Sequence, residues 1–293
     1  MAYKITCESS ADLNQDMYKK YKIPVLPFRI TMGEQDYLDG IDVTNNDLFE
    51  FFNETKQLPK TSALNEYDYD EFFGKEIKDC DGIIHISLSS QLSSTYSHAV
   101  ESAKKFKNVY VIDSLSLSSG IGLQVMYALT LRDKGVPIEE AVELINARRE
   151  HVQISFVVDK LNFLHKGGRC SALTLLGANV LSIRPSIQVK NGRMGVGKKY
   201  VGKIHKIIDK YIFDTVNDFS NPDKSLCFIT YSSATDEMLN VARESIEKVG
   251  VFKKVIETTA GCTVATHCGP NTLGIIYYND GGVPKIVKKK ENK

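Results

Sequence analysis

Two periods of apolar positions alternate along the first half of the chain. Short runs rich in Ile and Val recur at "YKITC", "GIIHISLS" (82–89), "VYVID" (109–113) and "ISFVV" (154–158). Runs of this length predict buried strands. Between them the apolar positions return at helical spacing. "TYSHAVESAKKF" sets Ala99, Val100, Ala103 and Phe106 on one side, and "IEEAVELINARRE" sets Ile138, Ala141, Val142 and Ile145 at i, i+3, i+4 and i+7. Pro137 opens that second helix and Gly135 closes the one before it, in the places these residues favour. Strand-helix alternation of this kind predicts a mostly parallel sheet with helices on both faces.

The second half has a different rhythm. "SIRPSIQVKNGRMGV" predicts two strands joined by Asn191-Gly192, a strong hairpin signal. Ile204, Ile207, Ile208, Tyr211, Ile212 and Val216 then form one stripe of a long helix. A strand "LCFITY", a helix from about Asp236 to Val249 closed by Gly250, and a last strand "LGIIYY" follow. The expected architecture is α/β with two domains. An N-terminal α/β domain spans 1–160, and a smaller C-terminal α+β domain spans 161–293, divided where "DKLNFLHKGGRC" interrupts the pattern. With no internal repeat and no low-complexity linker, the halves are expected to pack closely.

Composition narrows the function classes. At 293 residues and 42% apolar content the chain can build a full core. Lys plus Arg (37) nearly cancel Asp plus Glu (36), so no net field draws it to nucleic acid or to an anionic membrane. The basic end "KIVKKKENK" reads as a solvated tail. "MAYKITCESS" is not a signal peptide, and no stretch reaches the ~18 to 20 apolar residues of a membrane span. Six cysteines without a CxxC pair read as mostly buried, reduced thiols. Together these features predict a cytoplasmic protein without stable membrane insertion.

Several segments carry candidate chemistry. "GRMGVGKK" (192–199) approaches a P-loop, but Lys199 stands where Mg²⁺ coordination needs Ser or Thr, and Gly192 already belongs to the hairpin. Cys262, His267 and Cys268 invite a metal, yet no second cluster completes a ligand set, so no metal is expected. The serine-rich "ISLSSQLSSTYSHA" follows a strand and precedes a helix, where an open α/β sheet builds its crevice. Its hydroxyls suit a helix cap at Thr95, an anion seat, or a serine nucleophile. The last would make an acyl ester hydrolase from Ser93 or Ser94 with His267, although no G-x-S-x-G elbow is present. Thr61-Ser62 lies in an apparent loop before a helix, "KGGRC" presents Arg169 after two glycines, and Ser9-x-x-Asp12 has the form of a helix start.

In this order "CESSADL", "KTS", "ISLSSQLSSTYSHA", "VIDSLSLSSGIGL", "LNFLHKGGR", "IRPSIQVKNG" and "THCGPNTLG" resemble the DegV family of bacterial fatty-acid-binding proteins. The resemblance covers nearly the whole chain. It implies two α/β domains that bury a long-chain fatty acid and hold its carboxylate with Thr61, Ser93 and His267, Ser62 lying nearby. It implies a lipid carrier with no catalytic residue and no cofactor apart from that ligand. Several members present the fatty acid to an ATP-dependent kinase that makes acyl phosphate for phospholipid synthesis, with Arg169 then a contact for that partner or a phosphate. The chain departs from the family pattern at Glu8 (usually Asp), Ala63-Leu64 (usually Gln-Pro), Ser94 (usually Gly), Asn271 (often Gly), and around Tyr200-Val201, where a basic residue is common. The last departure bears on the kinase contact more than on lipid binding.

Overall fold

The first three Ile- and Val-rich runs become adjacent parallel strands, flanked by helices at the predicted places. A computed structural model describes residues 3–170 and 183–282; the basic C-terminal tail lies outside them. The chain begins with β1 (Lys4–Glu8), α1 (Gln15–Tyr21) and β2 (Val25–Leu26). It then makes an excursion through β3 (Arg29–Met32), β4 (Gln35–Leu38), α2 (Asn45–Thr55), β5 (Lys60–Ser62) and α3 (Glu66–Glu76). It returns as β6 (Ile83–Ser87), α4 (Thr95–Ala103), β7 (Val109–Asp113), α5 (Ser119–Asp133) and α6 (Ile138–Arg148). The parallel sheet has the order β2-β1-β6-β7, with Cys7 beside Ile86 and Ile86 beside Ile112. Strands covered on both faces can be apolar throughout, which is why Ile83, Ile84 and Ile86 are all buried.

The second half continues as β8 (Val152–Val157), α7 (Asn162–Gly167), the hairpin β9 (Ile183–Lys190) and β10 (Arg193–Val201), and α8 (Ile204–Asp218). It ends with β11 (Cys227–Tyr231), α9 (Asp236–Val249), β12 (Val255–Thr259), α10 (Cys262–Cys268) and β13 (Leu273–Tyr278). Its six strands lie in the order β10-β9-β8-β13-β11-β12, antiparallel except for β11 with β12. Asn191 and Gly192 both take positive φ (49° and 78°), as a tight hairpin of this type requires. The P-loop-like stretch is therefore a β-hairpin. Gly250 closes α9 in the left-handed conformation.

Three features differ from expectation. The alternation of the first half places the strand at 154–158 with the parallel sheet, but β8 pairs with β13 (Ile154 beside Ile276) and β9 (Phe156 beside Ile187). The changeover between sheets thus falls between α6 and β8, because an apolar run does not say which sheet it joins. Ser9-x-x-Asp12 starts no α-helix; Ser9–Ala11 form one 3-10 turn and Asp12 turns left-handed (φ 50°). Thr61-Ser62 is strand rather than loop. Within β5 Thr61 pairs with Ile30 of β3, in a three-stranded antiparallel sheet β4-β3-β5. The cap of α3 is Asn65, in a reciprocal box with Asp68.

Helix α5 joins the two halves. It packs on β1 and β6 of one sheet and on β8, β11 and β13 of the other. Such a helix must be apolar or small on nearly every side, and Ile121, Leu123, Val125, Ala128, Leu129 and Leu131 are all buried. Gly122 sits so close to the first turn that a Cβ there would fall 2.8 Å from the Ala11 carbonyl oxygen. No helix among the described residues is long and apolar enough to cross a membrane.

Candidate functional site

The site is organised by α10, a seven-residue helix that carries His267. A helix this short has unsatisfied N–H groups along its first turn, and Gly261 at its N-cap supplies no side chain to meet them. Two carboxylates from the N-terminal half do so instead. Asp12 accepts from the Gly261 N–H (2.8 Å), and Asp39 accepts from the N–H groups of Cys262 (2.7 Å) and Thr263 (3.2 Å) and from the Thr263 hydroxyl (2.6 Å). Burial pushes the Asp12 carboxyl well above the usual carboxylate range, against the opposing hydrogen bonds from Ser118 and Gly261. So the "CESSADL" motif, bland as a local helix start, anchors a helix some 250 residues later.

At its other end α10 stops at Gly269 (φ 76°), where a Cβ would lie 2.6 Å from the Phe163 ring. Asn271 is left-handed (φ 54°), as the Gly-Pro-Asn turn requires. The last turn of α10 places His267 Nε2 2.9 Å from Thr61 Oγ1. On the ring's other side a Cβ at Gly167 would fall 2.7 Å from Nδ1, and that nitrogen is buried without a partner among the described residues. Burial, with a smaller contribution from the positive charge of Arg169, lowers the His267 pKa to about 4. Near neutral pH the ring is therefore uncharged, with one N–H donor.

Around this pair lies a cavity between the two sheets. Thr61, Ser62, Ser93, Arg169 and His267, all singled out by sequence, are on its wall. Phe28, Leu88, Leu92, Leu117, Ile154, Phe156, Leu164, Met194, Val264 and Ile276 supply an apolar remainder that sequence reasoning did not identify. Ser93 Oγ accepts from the Thr95 N–H (3.2 Å) and lies 2.9 Å from Thr95 Oγ1, so it serves the first turn of α4 as well as the wall. Ser62 is exposed, and Arg169 is exposed with its Nη1 donating to the Gly167 carbonyl (2.8 Å). The serine loop is held from beneath by buried Glu8. Its Oε1 accepts from Tyr69 (2.6 Å) and Ser87 (2.7 Å) and sits 3.0 Å from His85 Nε2, while Oε2 accepts from the Leu88 N–H (3.0 Å).

Two chemistries weighed from sequence take no shape among the described residues. No three His, Cys, Asp or Glu side chains gather as a metal set. The Cys262 thiol faces the Val43 carbonyl (3.5 Å), and burial pushes the Cys268 thiol up to about 12. For a hydrolase, Ser93 bonds Thr95 rather than His267, Ser94 is exposed ahead of α4, and His267 Nδ1 has no carboxylate to orient it.

A family model described as "Uncharacterised protein, DegV family" matches residues 2–280. The chain belongs to the DegV family. A DegV domain-containing protein of Clostridium acetobutylicum is 30% identical over 276 residues, covering 94% of this chain and 97% of that one. Among solved DegV-like folds, a DegV family protein of Thermus thermophilus, described with fatty acid binding, superposes with a TM-score of 0.88 at 23% identity, covering 95% and 99% of the two chains. A hypothetical protein of Thermotoga maritima, described as revealing fatty acid binding function, gives 0.78 at 26% identity over 95% and 99%. The likeness of fold therefore extends over both halves of the chain.

Proposed function

We propose that this DegV chain binds one long-chain fatty acid in the cavity, the carboxylate at Thr61, Ser93 and His267 and the tail along the apolar wall. The observation that carries the reading is the convergence of Thr61, Ser62, Ser93, Arg169 and His267, distant in sequence, on one otherwise largely apolar cavity. Proteins of similar fold described with fatty acid binding support it.

The energetics divide between tail and head. Burying ~16 carbons at ~0.8 kcal/mol per methylene gains on the order of 10 kcal/mol before ordering costs. Hydrogen bonds to a carboxylate contribute ~1.5 to 3 kcal/mol each, much of it offset by desolvation. The tail sets affinity and the head group sets orientation. If His267 Nε2 carries the ring proton and donates to Thr61, the Thr61 hydroxyl is free to donate to the carboxylate. An uncharged donor chain of this kind holds the anion without attacking it, in keeping with a carrier. In the same reading, Arg169, exposed on the wall, is where a kinase or the phosphate it transfers would meet the loaded head group.

Calorimetric titration of delipidated protein with palmitic acid and with hexadecanol tests the head-group assignment. Thr61→Val should weaken palmitic acid about tenfold or more, the worth of one charge-assisted hydrogen bond, and leave the alcohol nearly unchanged. Equal palmitate affinity in wild type and variant would remove Thr61 from the site.

A further inference from the structure

The cavity wall carries more hydroxyls than a carboxylate needs. Beyond Thr61, Ser62 and Ser93, it includes Ser118, Ser155, Thr230, Ser232, Thr263 and Thr272. These six are committed to the protein. Ser118 donates to Asp12 (2.5 Å), Thr263 to Asp39 (2.6 Å), Ser232 to the Gly269 carbonyl (2.5 Å) and Thr272 to the Cys268 carbonyl (3.0 Å). Ser155 pairs with Tyr211 (3.0 Å), and Thr230 with Ser119 (2.6 Å) and Thr258 (2.9 Å). Ser10 differs. It is on the same wall, its side chain is fully buried, and its hydroxyl has no hydrogen-bond partner among the described residues. A buried hydroxyl left unpaired is costly, and alanine would fill the place without that cost.

The level of Ser10 in the cavity follows from Asp39. That carboxylate accepts from Ser9 (2.9 Å) and also from the N–H and hydroxyl of Thr263, so the Ser9–Ser10 turn lies beside the first turn of α10. His267 is one helical turn further on, ~6 Å along the axis. The Ser9–Ser10 turn thus lies at the end of α10 opposite His267, and the part of a ligand assigned to Ser10 is the chain just beyond its head group.

Resting on the lipid reading above, we propose that Ser10 is a specificity-determining residue that selects a long-chain acid bearing an oxygen, such as a hydroxyl, on the carboxyl-proximal part of its chain. Such an oxygen supplies the acceptor that Ser10 lacks, whereas a plain methylene chain leaves the hydroxyl unpaired. A site built to hydrogen-bond a ligand group discriminates against the analogue without it, because its own buried polar atom is then stranded.

The test is calorimetric titration of delipidated wild type and Ser10→Ala with palmitic acid and a positional series of monohydroxylated palmitic acids. At least one hydroxylated acid should bind wild type about tenfold more tightly than palmitic acid, the equivalent of one hydrogen bond. In Ser10→Ala that preference should vanish while palmitic acid binds as well as before or better. Wild-type protein that binds no hydroxylated acid more tightly than palmitic acid overturns the inference without recourse to any variant. A preference that survives in Ser10→Ala also overturns it, as does a loss of palmitic acid affinity in that variant, which would place Ser10 at the carboxylate. Wild type that binds neither class of acid overturns the lipid reading itself.

Discussion

Replacing His267 with asparagine removes a group whose protonation state is fixed by its place in the fold. Its pKa falls from an ordinary 6.5 to about 4, through burial first and the Arg169 charge second. Above pH 6.5 the imidazole is neutral in folded and unfolded chains alike and contributes nothing to pH dependence. Between 6.5 and about 4 the unfolded chain takes up a proton that the folded chain refuses, so stability falls as pH falls. Below about 4 the loss is complete, at about 3 kcal/mol. Urea unfolding of delipidated wild type and His267→Asn at a series of pH values across this window measures it. Other titrating groups are common to both proteins and cancel in the difference. The stability of wild type relative to the variant should drop by about 3 kcal/mol across the window. A difference that stays flat would refute the buried, neutral histidine. A fatty acid carboxylate beside the ring favours its charged form, so an NMR titration of His267 in loaded protein should show a higher midpoint than in delipidated protein.

Other perturbations probe the supports of the site. Asp39→Ala strands two N–H groups of α10 and the hydroxyls of Ser9 and Thr263, and should cost about 2 kcal/mol or more in urea unfolding, with weaker palmitate binding. An undiminished unfolding midpoint would show that α10 needs no cap from that side. Glu8→Gln turns an amide NH₂ toward donors that the carboxylate now accepts, and should cost about 3 kcal/mol by the same assay; a loss well under ~1 kcal/mol would contradict the network's importance. Gly167→Ala would bring a methyl group to 2.7 Å from His267 Nδ1. Calorimetry should then show weaker binding of palmitic acid but not of hexadecanol, and unchanged palmitate affinity would count against His267 in the head-group site.

Much of the fold was legible because its signals are local. Helix α9 runs from Asp236 to Val249 with Gly250 behind it, and the hairpin turns at Asn191-Gly192, both as periodicity and turn chemistry indicate. The elements not anticipated depend on distant residues. Helix α10 is seven residues long and capped by Asp12 and Asp39, so its sequence alone does not announce a helix. Strands β3, β4 and β5 have four, four and three residues, too few for an alternation to stand out. The candidate residues were found through the resemblance, since Thr61, Ser93 and Arg169 each look like ordinary caps or surface groups until the fold brings them to one wall. Ser10 carried a weaker signal still, one serine in a helix-start pattern, and it acquires meaning only once its hydroxyl is seen buried and unpaired.

The central claim is a bound acyl chain, and its most direct test is the content of the purified protein. Chain isolated from cells, washed, denatured and extracted should yield about one long-chain fatty acid per polypeptide by mass spectrometry, and the spectrum would give its length, unsaturation and any chain oxygen. Folded, pure protein that releases no fatty acid and takes none up on incubation would contradict the account.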